Sequence, residues 1–239
     1  MTRAQRGLQS IPAVPISLYD AALDGSSVRR TVAMIDAGSV LIIVDVQNDF
    51  LPQGALAVPS GEEVVSVINR LSRRFENVVL TQDWHPAGHA SFASSHAGAK
   101  PFETIELAYG PQVLWPDHCV QGTAGAALHA GLDVPHAQMI VRKGHRRDVD
   151  SYSGFLEADR TTSTGLGGYL RERGLQRCFI VGLATDFCVA WTALDARKLG
   201  FEATVIEDAC RGIDTGGSLG RAWSEMESSG VARARLGAG

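Results

Sequence analysis

Three things are scarce in this 239-residue chain. Cysteine occurs only four times, at Cys119, Cys178, Cys188 and Cys210, with no CxxC pair. Thiols so few and so scattered exclude a disulfide framework and a zinc ribbon. Long apolar runs are missing, since the longest, Ser39 to Val46, is far too short to cross a bilayer. Basic clusters are missing too: 22 Lys and Arg stand against 26 Asp and Glu, a formal net charge of −4, with no Lys/Arg block. A nucleic-acid or anionic-membrane partner therefore has no electrostatic footprint. The first residues show no apolar segment with a small-residue cleavage site, so the expected compartment is the cytoplasm. There, isolated cysteines stay thiols. What is present is a 45% hydrophobic composition, enough to bury the core of one large domain.

Residues 1–38 carry no sustained period and read as an irregular N-terminal extension. A rhythm begins at residue 39. Val40 to Val44 is an unbroken aliphatic run, as expected of a strand buried on both faces. Val64, Ile68, Leu71 and Phe75 recur at helical spacing. Further strands are predicted over 77–82, 138–142, 177–182 and 202–206, with helices over 164–173, 187–199 and 214–229. A sixth strand is placed near 229–234. This alternation predicts one α/β domain over 39–239. It has three layers, α/β/α, around a mostly parallel, Rossmann-like sheet of five or six strands. The long aperiodic stretch from Asp83 to Gly122 reads as a functional loop. Gly165 to Gly168 falls within a helix, so neither a dinucleotide fingerprint nor a phosphate loop is present.

Ligands of open parallel sheets bind outside the carboxyl ends of the strands. Asp45 ends the first predicted strand, Lys143 the third, and Cys188 opens the helix after the fourth. A thiol in the first turn of a helix is expected to have a lowered pKa and to be nucleophilic. Asp45 can accept its proton and return it to a leaving amine, and Lys143 can hold both anions. The plainer reading is a salt bridge between strand ends and a small buried cysteine. Cys178, within a strand, and Cys210, placed in a loop after a strand, keep that plainer reading.

A second cluster lies in the loop. Asp83 and His85 are two apart in extended chain and so point the same way. His89 and His118 follow in the same long segment. Two imidazoles and a carboxylate with open positions suit Zn²⁺, Fe²⁺ or Mn²⁺, whereas the plainer reading is solvent-exposed loop histidines. His96, His129, His136 and His145 show no partner pattern.

Five motifs, in order, carry a resemblance: VDVQNDF (44–50), TQDWHPAGHASFA (81–93), WPDHCVQGT (115–123), RKG with DSYSGF (142–144 and 150–155), and GLATDFCV (182–189). Over about residues 39–214 the chain resembles the nicotinamidases of the isochorismatase-like hydrolase superfamily. The resemblance implies hydrolysis of nicotinamide to nicotinate and ammonia through a thioester, with pyrazinamide also accepted. It implies a triad carried by Asp45, Lys143 and Cys188, and an oxyanion hole from the Ala184 and Cys188 backbone beyond a cis peptide bond before Ala184. It further implies one divalent metal ion per chain, zinc first and Fe²⁺ or Mn²⁺ otherwise, held by Asp83, His85 and His118, with His89 a ligand in some members. The implied pyridine pocket is lined by Phe50, Trp115 and Tyr152. The expected partner is thus a small molecule, with no nucleic acid and no membrane; a homo-oligomer is compatible. Relatives acting on carbamoyl or ureido substrates share the triad but generally lack the metal ligands, and isochorismatases proper lack the cysteine. A catalytically silent metal-binding scaffold is the remaining alternative.

Overall fold

The structure is a computed structural model that describes residues 14–20 and 30–236. Its centre is β3 (Ser39–Val44), buried along its whole length. β3 pairs in parallel with β4 (Asn77–Asp83) on one side and with β8 (Arg177–Leu183) on the other. Leu41, Ile42 and Ile43 are matched by Val78, Val79 and Leu80, and by Phe179, Ile180 and Val181. Such runs persist because both faces of these strands are covered.

β7 (Met139–Lys143) lies outside β4, while β9 (Glu202–Arg211) and β10 (Ala232–Leu236) lie outside β8. Six parallel strands result, in the order β10-β9-β8-β3-β4-β7. The chain builds outward from β3, returns to β8 and builds outward the other way, so the order reverses between β3 and β8. Right-handed crossovers then put α1 (Glu63–Ser72) on one face. α2 (Leu166–Glu172), α3 (Ala190–Lys198) and α4 (Ser218–Ser228) cover the other. The three-layer architecture is the expected one. α1 buries Val64, Ile68 and Leu71. Arg171 of α2 donates to the Leu199 carbonyl at 3.0 Å, which ties α2 to the end of α3.

Gly182 makes the reversal point tight. It has a φ of +115°, and a Cβ there would run into the Val44 carbonyl. Only glycine lets β8 approach β3 so closely at the end where the site lies.

Several elements depart from the sequence reading. Residues 1–38 are not irregular throughout, because β1 (Val14–Asp20) and β2 (Arg30–Ile35) form an antiparallel hairpin. β1 pairs antiparallel with β10, bringing the sheet to eight strands. Backbone pairing with an existing edge needs no amphipathic period, which is why the period was silent. The rest of that segment, 1–13 and 21–29, lies outside the described residues. Cys210 belongs to β9, which runs five residues past the predicted end, through a register irregularity between Ile180 and Gly182 of β8. The long loop contains a small hairpin of β5 (Thr104–Leu107) and β6 (Gly110–Val113). α3 starts at Ala190, later than expected, because Thr185–Val189 forms a wider π-type turn first.

Candidate active site

Asp45 follows β3 directly and has a φ of +48°, a region that aspartate tolerates better than most residues. That turn keeps its carboxylate inside, fully buried. Thr81 of β4 donates its hydroxyl to Asp45 Oδ1 at 2.6 Å and accepts from the Asp45 backbone N–H at 3.2 Å. Lys143, at the end of β7, reaches past β4, with its ammonium 2.7 Å from Asp45 Oδ2 and 2.5 Å from Asp83 Oδ1. It also donates to the Ser151 carbonyl at 3.1 Å and lies 3.3 Å from Cys188 Sγ. The structure therefore brings Asp45, Lys143 and Cys188 together.

Burial would lower the Lys143 pKa, but Asp45 and Asp83 outweigh it and hold the group well above its ordinary value, as an ammonium. Burial pushes the Asp45 carboxyl up, against the pull of Lys143. It also pushes the Cys188 thiol well above its ordinary value; Lys143 opposes this, while Asp45 and Asp83 add to it. The expectation of a thiol lowered by a helix end is thus reversed. Cys188 sits in the π-type turn with two carboxylates near it, and exclusion of water outweighs the helix dipole. Cys188 is thereby held as a thiol beside the Asp45 carboxyl.

The second cluster forms around the other oxygen of Asp83. His85 Nδ1 is 2.9 Å from the Gly144 carbonyl and His118 Nδ1 is 2.9 Å from the Pro116 carbonyl. Each Nδ1 acts as donor there, so each Nε2 carries the lone pair. Those two Nε2 atoms stand 3.5 Å and 3.7 Å from Asp83 Oδ2. Three acceptors converge in a buried space, and only a proton or a cation reconciles them. Backbone carbonyls that fix the imidazole tautomer in this way are the usual support of metal-ligating histidines. The donor set thus fits a divalent ion of the zinc type. Gly144 is required by the same arrangement, since a Cβ at its φ of +63° would overlap the His85 ring.

His89 is placed differently. It joins a second buried group with His85 and Asp150, not the group of Asp83, His85 and His118. Its Nδ1 is 2.7 Å from the Ser91 hydroxyl and its Nε2 is 3.3 Å from the Val149 carbonyl, so both nitrogens are engaged.

Both clusters open into one narrow cavity walled by Phe50, Trp115, Tyr152, Phe187 and Ile213, with Ala184 and Cys188 at one end. Only about 20 Å³ of it is open to the centre of a water molecule, so it is a slit. Trp115 stands edge-on to Phe187 with ring centres 4.8 Å apart, and Phe50 is 5.6 Å from His118. The peptide bond between Leu183 and Ala184 is cis.

The sequence reading missed several contributors. Gln47 clamps the end of β4, donating to the Asp83 carbonyl at 2.8 Å and accepting from the Asp83 N–H at 2.8 Å. Asp186 accepts from the Ile213 and Asp214 N–H groups at 3.0 and 2.9 Å and from the Ser218 hydroxyl at 2.5 Å, so the turn that carries Cys188 holds the loop that supplies Ile213. Both stand inside quoted motifs, a signal that pointed to them without a role. Phe187 and Asp150 also stand inside quoted motifs, whereas Gln112 had no signal beyond position.

A buried thiol beside a lysine–carboxylate pair, at the reversal point of a doubly wound sheet, defines a thiol-dependent hydrolase whose pocket has metal-binding chemistry beside the thiol. The chain belongs to the isochorismatase domain family, which matches residues 39–233. It is 61% identical over 193 residues to a nicotinamidase of Acinetobacter baylyi, covering 81% of this chain and 90% of that protein. Among solved structures, it is similar to a nicotinamidase/pyrazinamidase of Acinetobacter baumanii, with a TM-score of 0.82 and 60% identity over 82% of this chain and 95% of that one. It is also similar to a pyrazinamidase of Pyrococcus horikoshii in complex with zinc, with a TM-score of 0.69 and 37% identity over 83% of this chain and 99% of that one.

Proposed function

We propose that the protein hydrolyses nicotinamide to nicotinate and ammonia, with pyrazinamide as a further substrate. The observation that carries this reading is one narrow cavity in which the Cys188 thiol, 3.3 Å from the Lys143 ammonium, lies beside the Asp83, His85 and His118 set between aromatic walls. A flat heteroaromatic amide offers a carbonyl carbon to the thiol and a ring nitrogen to the metal-type set, and the relatives named nicotinamidase agree with it.

Cys188 passes its proton to Asp45 as the sulfur attacks the carboxamide carbon. The Ala184 and Cys188 backbone N–H groups serve as the oxyanion hole. The C–N bond breaks, Asp45 returns the proton to the leaving nitrogen, and ammonia departs from a thioester. Asp45 then takes a proton from water as its oxygen attacks the acyl carbon; the C–S bond breaks, and that proton goes back to Cys188. Lys143 stays charged throughout and steadies Asp45 and the sulfur. Phe50, Trp115 and Tyr152 clamp the ring. Asp83, His85 and His118 would hold one divalent ion, zinc before Fe²⁺ or Mn²⁺, which supplies a Lewis acid for a lone pair of the ligand. His89, which adjoins His85, joins the set as a further ligand only by releasing the Ser91 hydroxyl or the Val149 carbonyl.

No helix among the described residues is long and apolar enough to cross a membrane. We place the enzyme in the cytoplasm, with residues 39–239 as the hydrolase domain, residues 1–38 as an extension of it and a homo-oligomer compatible with the arrangement. Ammonia release from nicotinamide, pyrazinamide and carbamoyl compounds, with metal analysis of the same sample, tests the reading. Turnover confined to carbamoyl compounds would replace it.

A further inference from the structure

Behind the slit lies a polar group that the proposed chemistry does not use. Gln112 of β6 is 1% exposed. Its Nε2 donates to Tyr152 Oη at 2.9 Å and to Asp150 Oδ2 at 2.9 Å, and lies 2.6 Å from the Val113 carbonyl. Its Oε1 accepts from the Tyr109 hydroxyl at 3.0 Å, which fixes the amide the right way round. Trp115 Nε1–H donates to the same Tyr152 oxygen at 3.0 Å. Trp115 and Tyr152 are thereby held perpendicular, with an interplanar angle of 90° and ring centres 6.3 Å apart.

Two donors on one phenol oxygen use its acceptor capacity, so what remains free at Tyr152 is its own hydrogen. A buried amide that satisfies a carboxylate and a phenol together costs a great deal to remove, because each partner is then left unpaired.

We propose that Gln112 is a positioning residue for substrate binding: from outside the cavity, it anchors the Tyr152 phenol oxygen against Trp115 and so fixes the wall that the two rings present to the substrate. This inference rests on the proposed amidohydrolase reading. It assigns a role to the β5–β6 hairpin, which delivers Gln112 to the back of the pocket and contributes neither to the triad nor to the Asp83, His85 and His118 set. A residue that orients a ring wall acts on the bound ground state and transition state alike. Its loss therefore raises KM and leaves kcat nearly unchanged.

The test is steady-state ammonia release from nicotinamide by the full chain and three variants: Gln112→Met, Tyr152→Phe and the double variant. Methionine keeps the volume and removes the amide, so a role in packing alone predicts wild-type kinetics. The inference predicts a KM increase of about tenfold in Gln112→Met, with kcat within about threefold of wild type. It also predicts a rise in Tyr152→Phe and a double variant no worse than the worse single one, because both changes break the same contact. Unchanged KM in either single variant, a loss confined to kcat, or fully additive effects would overturn it. If Gln112→Met does not accumulate folded, Gln112→Asn, which withdraws the amide from Tyr152, takes its place: an unchanged KM overturns the inference and a raised KM upholds it. A wild-type protein that releases no ammonia refutes the amidohydrolase reading instead, so the two failures are distinct.

Discussion

Lys143 Nζ lies 2.5 Å from Asp83 Oδ1, and the other oxygen of that carboxylate faces two imidazole Nε2 atoms. Asp83 thus links the nucleophilic cluster to the histidine cluster. Burial acts to raise its carboxyl, but Lys143 outweighs it and holds the group well below the ordinary range, as a carboxylate. Lys143→Met should therefore act on both clusters. Turnover should fall by at least about a hundredfold, and zinc affinity should also change by about tenfold or more. Titrating the apo variant with zinc checks this; unchanged affinity would mean that the clusters are independent.

Chelation tests the histidine cluster directly. Protein stripped of metal should lose turnover of nicotinamide and regain it with one equivalent of zinc per chain. His118→Ala should bind zinc at least about tenfold more weakly, while Ser91→Ala, beside His89, should leave affinity near wild type. Equal losses in the two variants would move His89 into the ligand set.

Thr81 is the partner of Asp45 that no motif role announced. Its hydroxyl donates at 2.6 Å to a fully buried carboxylate, so Thr81→Val leaves the shape and removes the bond. We expect kcat/KM to fall by about tenfold or more, since one charge-assisted hydrogen bond contributes about 1.5–3 kcal/mol. A circular-dichroism melt separates this loss from unfolding.

The legible part of the fold follows from burial. β3, β4 and β8 announce themselves as aliphatic runs because both faces are covered, and their ends then locate Asp45, Asp83 and Cys188. What was not legible depends on partners distant in sequence. β1 and β2 are built by backbone pairing to β10. β5 and β6 are short and bury only Gln112, with Gly110 and Pro111 inside. The direction of the Cys188 shift could not be read either. A helix-end argument sees the local dipole, whereas Asp45, Asp83 and the loss of water come from other elements. Gln112 reads as one polar residue in a loop until β6 carries it against Tyr152.

Stability at low pH should report on the sheet edge. Burial would raise the Glu207 carboxyl, but Arg235 and Arg233 of β10 hold it down at about 2. A depressed folded-state value means that its contribution is full above the ordinary value of 4.5 and is lost as pH falls from there through about 2. Because the carboxylate is partly exposed and its partner Arg235 reaches solvent, screening reduces the effect to about 1–2 kcal/mol. Glu207→Gln should lower the urea midpoint at pH 7, and the gap to wild type should narrow below about pH 4.5. A gap that is constant with pH would contradict the ion-pair origin.

The central claim is that the Cys188 sulfur forms the bond to the substrate carbonyl while the Asp83, His85 and His118 set forms independently of it. The most direct measurement is ammonia release by Cys188→Ala alongside its zinc content. The account predicts ammonia and nicotinate from the wild type, a loss of at least about a thousandfold in the variant, and one zinc per chain in both. Wild-type turnover by Cys188→Ala would contradict it.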